Sequence, residues 1–350
     1  MSSPSFIHLR LHTEYSLLEG AVRLKSLPGL CTKAGMPAVA VTDTNNMFAA
    51  LEFSVGALDA GVQPIVGCQI DVMYETAAMG ERETKPAPLV LLAQSREGYE
   101  GLMKLNSALY LRQADWPHVT LTDLAAHSEG LSCLTGGADG PVGRLLQAGA
   151  RDKAELLVRQ LAEIFETRLY VELQRHPGEG GFLPKPEAVT EPAFIDMAYA
   201  MGLPLVATND VYFPQAKMYE AHDALICIAE GAYVDQQGAR RRLTQQHYFK
   251  TPAEMEVLFK DLPEAIENTV EIATRCAFAV SRHDPILPRF AEDEIEELRR
   301  QARAGLEERL AAIEPAAPRE AYEERLDFEL GIIEGMGLSL IHISEPTRPS

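Results

Sequence analysis

Short apolar runs recur along the first part of the chain, at PAVAVTD (37–43), QPIVGCQIDVMY (63–74), PLVLLAQ (88–94), GLSCLTG (130–136), RLYVELQ (168–174) and LPLVATND (203–210). They predict strands, and the continuous ones are of the kind expected where both faces of a sheet are covered. Between them LKSLPGLCTKAG, REGYEGLMKLNSALYLR, KAELLVRQLAEIFE and PAFIDMAYAMG carry apolar residues at helical spacing. This order predicts an α/β fold with a parallel sheet and right-handed crossovers. Alternation does not choose between an open sheet and a closed barrel. Either one gathers polar residues at the carboxyl ends of its strands, where Asp43 and Asp210 stand.

After residue 212 the pattern turns helical, through PQAKMYEAHDALICIAEG, TPAEMEVLFKDLPEAIENTVEIATRCAF, EDEIEELRRQARAGLEERLAAI and YEERLDFELGIIEGMG. Thr251 before Pro252 is a helix-start signal, and Gly335 or Gly337 suits a helix end. The proline-rich DPILPRF (284–290) reads as a boundary. The acidic EDEIEELRR reads as an exposed helix face with charge pairs at helical spacing.

Composition narrows the function. The 350 residues, 46% hydrophobic, suit a globular chain with a sizeable core. The opening MSSPSFIHL lacks the basic and apolar regions of a signal peptide, and no stretch approaches the ~18 apolar residues of a membrane helix. A cytoplasmic protein without membrane contact is expected. Cys31, Cys68, Cys133, Cys227 and Cys276 show no metal-ligand spacing and suit buried, reduced thiols. A formal net charge of −19 argues against gripping a nucleic-acid backbone over the whole surface. There is no GxGxxG after the first strand and no phosphate-binding GxxxxGK[ST], which removes the common dinucleotide and nucleoside-triphosphate readings.

The stretch HLRLHTEYSLLEGA (8–21) carries the candidate chemistry. A strand ending in His-x-His places two imidazoles on one face, a common beginning of metal-dependent hydrolase sites. In this chain the first of the pair is Arg10 and the second His12. His118, His127, His222, His247 and His283 show no metal spacing and read as surface or capping histidines. Arg240, Arg241 and Arg242 form the densest basic run, read as a solvated loop before a strand-like HYFKT.

Taken in order, HLRLHTEYSLLEGA, AVTDTNNMFAALEF, GVQPIVGCQIDV, LLAQSREGYEGLMKLNS, YVELQRHP, GLPLVATNDVYF, PEAIENTVEIATRC and YEERLDFELGIIEGMG resemble the N-terminal region of the alpha subunit of bacterial DNA polymerase III. The resemblance implies a polymerase-and-histidinol-phosphatase (PHP) domain over 1–284, a distorted β/α barrel of about seven strands followed by helices. It implies the start of the polymerase body over 285–337, with the aspartates of nucleotidyl transfer and their magnesium further downstream. Residues 338–350, LSLIHISEPTRPS, depart from the family and resemble translated adapter sequence.

In family members with an intact PHP site, histidines and carboxylates hold a cluster of metals and a hydrolytic activity is implied. In this chain Arg10 replaces the first His, Thr44 the His of Thr-Asp-His-Gly after Asp43, Gln69 the acid after Gly-Cys, Pro88 a frequent His, and Tyr212 the last His of Asp-x-His. His12, Glu19 and Asp210 remain, with His176 near in motif. Guanidinium cannot ligate a metal and would repel one. The expectation is a vestigial, metal-free cleft in which Arg10 pairs with Glu19 or Asp210. No catalytic residue or cofactor is expected in this chain, which would support the polymerase and dock the proofreading exonuclease subunit, with DNA contacts supplied by domains outside it. The alternative is an active metallophosphoesterase or proofreading exonuclease.

Overall fold

The computed structural model describes residues 5–74, 85–112, 114–236, 240–283 and 290–337. The boundary stretch 284–289 and the tail 338–350 lie outside the described residues. Two compact units divide the chain, Met1–Arg282 and His283–Ser350.

Among the described residues of the first unit, seven strands form one sheet: β1 (Ala38–Val41), β2 (Gln63–Met73), β3 (Ala87–Ala93), β4 (Val119–Thr120), β5 (Leu131–Leu134), β6 (Leu169–Gln174) and β7 (Leu205–Thr208). Their order is β1-β2-β3-β5-β6-β7, with β4 beside β2. The sheet is mixed, which corrects the all-parallel expectation. β3 runs antiparallel to both β2 and β5, while β1–β2, β5–β6 and β6–β7 are parallel. The reason is visible in the sequence: no helical pattern separates the second and third apolar runs, and a parallel return usually needs a crossover helix.

The His-x-His-like segment is not a ladder strand. It is an extended stretch that joins the two ends of the sheet: His8 O and Leu11 O accept from Ala40 N (2.8 Å) and Thr42 N (2.9 Å), while Arg10 O accepts from Val211 N (3.2 Å) and His12 N donates to Val211 O (2.8 Å). The curled sheet is thereby closed beyond β1 and β7.

Strand alternation then builds the site. Ile7, Leu9, Ile65, Val90, Leu92, Leu134, Tyr170 and Val206 form one buried cluster with Ile272 and Cys276, a set drawn from alternate strand positions. Other strand residues, among them Val39, Val66, Leu91, Val171 and Leu205, pack with helix residues such as Leu102, Leu161 and Phe194 in the larger cluster. Continuing by twos toward the carboxyl ends, the first face passes from Ile65 to Gln69, from Tyr170 to Glu172 and Gln174, and from Val206 to Thr208 and Asp210. One face is thus apolar at one end and polar at the other. Gly67 lies between Ile65 and Gln69 because a Cβ there would meet Leu91 O at 2.6 Å.

Two helix expectations change at prolines. The run from 251 splits into Pro252–Leu258 and Pro263–Arg275, since Pro263 opens the second helix. Thr251 does cap the first, with a reciprocal Glu254. The helix expected from Pro192 begins at Lys185 and carries Pro192 inside it. HYFKT is no strand: it contributes one isolated bridge, Phe213 to Tyr248. In the second unit, the helices Glu294–Ala312 and Arg319–Gly335 carry mostly exposed charges, the first capped by Asp293.

Candidate functional site: a cleft neutralised by arginine

At the carboxyl ends of the parallel strands the structure brings together Arg10, His12, Glu19, Asp43, Thr44, Gln69, Asp210 and Tyr212. Arg10 is 2% exposed. Its Nη1 lies 3.3 Å from Glu172 Oε1 and its Nη2 donates to Gln69 Oε1 at 2.7 Å. Its Nε sits 2.9 Å from Asp210 Oδ1, an ion pair rather than a well-aimed hydrogen bond. The sequence expectation offered Glu19 or Asp210 as partners. The structure gives Asp210 and Glu172, and Glu19 pairs elsewhere.

Glu172 was not anticipated. It is fully buried in β6 and accepts from Arg10, Gly136 N (2.9 Å), Thr208 Oγ1 (2.5 Å) and Gln174 Nε2 (3.2 Å). An isolated carboxylate in such surroundings would cost several kcal/mol, and these donors plus a guanidinium offset that cost. The signal available was a glutamate inside an apolar run too continuous to have a solvent face.

Asp210 and His12 form the next layer. Burial pushes the Asp210 carboxyl up, but Arg10, with His12 Nε2 at 3.1 Å, holds it well below the usual carboxylate range. Tyr212 lies flat on His12, ring centres 4.3 Å apart and planes within 9°. Burial raises the Tyr212 phenol, and Asp210 adds to the rise, so it stays a neutral hydroxyl.

Asp43 organises the loop that carries Glu19. It accepts from Thr13 N (2.7 Å), Thr13 Oγ1 (2.8 Å) and Ser16 Oγ (2.7 Å), which leaves it satisfied without a cation. The loop closes tightly at Gly20, where a Cβ would meet Thr13 O at 2.0 Å. Thr44 Oγ1 donates to Glu19 Oε2 at 2.8 Å. Leu18, Asn45 and Asp210 all have positive φ (61°, 54° and 48°), so strained backbone borders the cleft on three segments.

Two arginines of the basic run, Arg240 and Arg241, are paired rather than solvated, while Arg242 is exposed. Arg240 makes a two-pronged pair with Asp223 (2.7 and 2.6 Å). Arg241 reaches Glu19 Oε1 and the Tyr212 hydroxyl, each at 3.1 Å. Two histidines expected at the surface are buried. His222 Nε2 donates to the Glu19 carbonyl at 2.6 Å, and His247 stacks on His176 with centres 3.8 Å apart. His176 in turn is held by Glu187, 2.7 Å from its Nδ1. Pro88 is buried in β3 opposite Asp71.

Guanidinium groups already pair with two carboxylates of the cleft. Asp210, 3.1 Å from His12 Nε2, is occupied by Arg10, and Glu19 is occupied by Arg241. Among the described residues no three histidine, cysteine or acidic side chains converge as metal ligands would.

Residues 8–176 match the family model described as PHP domain. The chain is 48% identical over 338 residues to a DNA polymerase III subunit alpha of Caulobacter vibrioides, covering 95% of this chain and 29% of that protein. It is 39% identical over 356 residues to the Pseudomonas aeruginosa subunit (95% and 28%) and 36% identical over 349 residues to one from Escherichia coli (96% and 29%). The chain thus spans under a third of the length of these curated relatives. A solved amidohydrolase from Chromobacterium violaceum aligns over 59% of this chain and 87% of its own at 13% identity and a TM-score of 0.36, which says nothing of function. Residues 8–176 therefore belong to the PHP-domain family, and the chain as a whole is homologous, over about 95% of its length, to the N-terminal 29% or so of DNA polymerase III alpha subunits.

Proposed function

We propose that this chain serves within a replicative DNA polymerase alpha subunit as a PHP domain whose cleft has exchanged metal ions for internal arginine. The single observation that supports this reading is the Arg10 guanidinium between Asp210 and Glu172. A fixed cation there keeps buried carboxylates neutralised and removes the open coordination positions from which a metal would activate water. The domain then supports the polymerase fold and docks the proofreading exonuclease subunit, while nucleotidyl transfer and DNA contact belong to the remaining length of such subunits.

Metal content tests the cleft directly. After dialysis the protein should hold well below one equivalent of zinc or manganese, and chelator should leave its melting temperature unaltered, since a ligand bound tightly to the folded state would raise it. Stoichiometric metal, together with a chelator-sensitive phosphoesterase activity lost in His12→Ala, would reverse the conclusion in favour of an active hydrolase. Co-purification of the exonuclease subunit with the full chain separates docking from structural support alone.

A further inference from the structure

The inner groups of the cleft stand at the open end of a curled sheet, yet Arg10 is 2% exposed and His12 is fully buried. Tyr212 covers them, lying on His12, and Arg241 covers Tyr212, its guanidinium carbon 5.5 Å from the ring centre. Arg241 comes from a separate segment, Arg240–Lys250, fixed at both ends. At one end Arg240 is clamped to Asp223 of the helix Tyr219–Glu230. At the other, Tyr212 N donates to His247 O (2.9 Å), Phe249 N to Phe213 O (3.0 Å) and Asn209 Nδ2 to Tyr248 O (2.7 Å).

We propose that this segment is a strap that delivers Arg241 as a second internal cation, so that the cleft is closed by two arginines on independent elements rather than by Arg10 alone. The proposal rests on the arginine-for-metal reading above. Arg10 neutralises Asp210 and Glu172 from within. Arg241 neutralises Glu19, a carboxylate Arg10 does not reach, and caps the mouth. Asp210 and Glu19 have each gained a guanidinium, while Asp43 is held by Thr13 and Ser16, and the two arginines are not redundant. A chain changed only at the inner positions would still present Glu19 already paired, with a positive charge over the entrance that opposes any incoming cation.

Zinc titration by calorimetry on the full chain tests this, with thermal melting to confirm folding. One variant combines Arg10→His, Thr44→His and Gln69→Glu, leaving Tyr212 in place as the surface on which Arg241 lies. A second adds Arg241→Gln, and a third adds Arg241→Lys instead. The second should bind zinc at least tenfold more tightly than the first, and the third should stay near the first because it keeps the charge. Equal affinity in the first and second, including no binding in either, overturns the proposal while the inner-arginine reading stands. Stoichiometric zinc in the unmodified protein overturns that reading and the proposal with it. If the combined variants do not fold, amide exchange in residues 240–246 of the Arg241→Gln single variant decides: at least tenfold faster exchange than in the unmodified chain supports the strap, and unchanged exchange overturns it.

Discussion

Two arginine–glutamate pairs in this molecule have nearly the same length and almost nothing else in common. Arg10 lies 3.3 Å from Glu172 with both side chains essentially buried, whereas Arg96 lies 3.2 Å from Glu100 on a helix surface with side chains 78% and 49% exposed. The first pair joins segments 162 residues apart and shares its guanidinium with Gln69 and Asp210. The second spans one helical turn. Distance therefore says little about what an ion pair contributes; the solvent around it and the number of shared partners decide.

The largest effect expected from this contrast is at Arg10. Arg10→Ala leaves Glu172 and Asp210 buried without their cation and should cost roughly 3–5 kcal/mol in urea denaturation. Adding Glu172→Gln and Asp210→Asn should recover most of that loss, because neutral amides need no counter-charge. Failure to recover would mean that packing of the guanidinium, not charge, carries the effect. An intermediate effect is expected from pH. His8 is fully buried against Phe6 and Phe249, and burial pushes its imidazole from the ordinary 6.5 down to about 4. Between those values the unfolded chain binds a proton that the folded chain refuses, so this contribution is complete above pH 6.5 and is lost as pH falls toward 4. Asp210, whose carboxyl is held low, adds its own loss only below the ordinary carboxylate range. Denaturation midpoints should decline across the His8 window, with a shallower slope in His8→Gln; parallel slopes would assign the decline to other groups. The smallest effect is at Arg96, where Arg96→Ala should shift stability by no more than ~0.5 kcal/mol.

What the sequence disclosed follows the same contrast between local and distant partners. Strand positions were legible from apolar runs, because a strand covered on both faces has no polar phase to confuse it. The antiparallel direction of β3 was legible only as the absence of a helix before it. Asp43 and Asp210 were found because they stand just past the ends of apolar strands, and Arg10 because it interrupts a recognisable motif. Glu172 and Arg241 were missed for different reasons. A lone glutamate in RLYVELQ looks like ordinary alternation until the strand is known to be buried throughout. The basic run looks solvated because its partners, Asp223 and Glu19, lie on elements distant in sequence. His222 and His247 were misplaced likewise: their burial comes from the loop carrying Glu19 and from His176, neither adjacent in sequence.

The extended segment that closes the sheet also sets a schedule for synthesis. His12 and Asp210 are 198 residues apart. At about 5–20 residues per second, the ribosome needs on the order of 10–40 s to place Asp210 after His12 has been made. For most of that interval Arg10 has neither Glu172 nor Asp210 and cannot be buried without paying the full desolvation of a lone guanidinium. A segment that emerges before every strand of the sheet is therefore among the last to take its final position, and closure of the domain awaits the arrival of the strand end it hydrogen-bonds. Nascent chains stalled before residue 172 should leave HLRLH accessible to protease, and those stalled far enough beyond 213 to clear the exit tunnel should protect it.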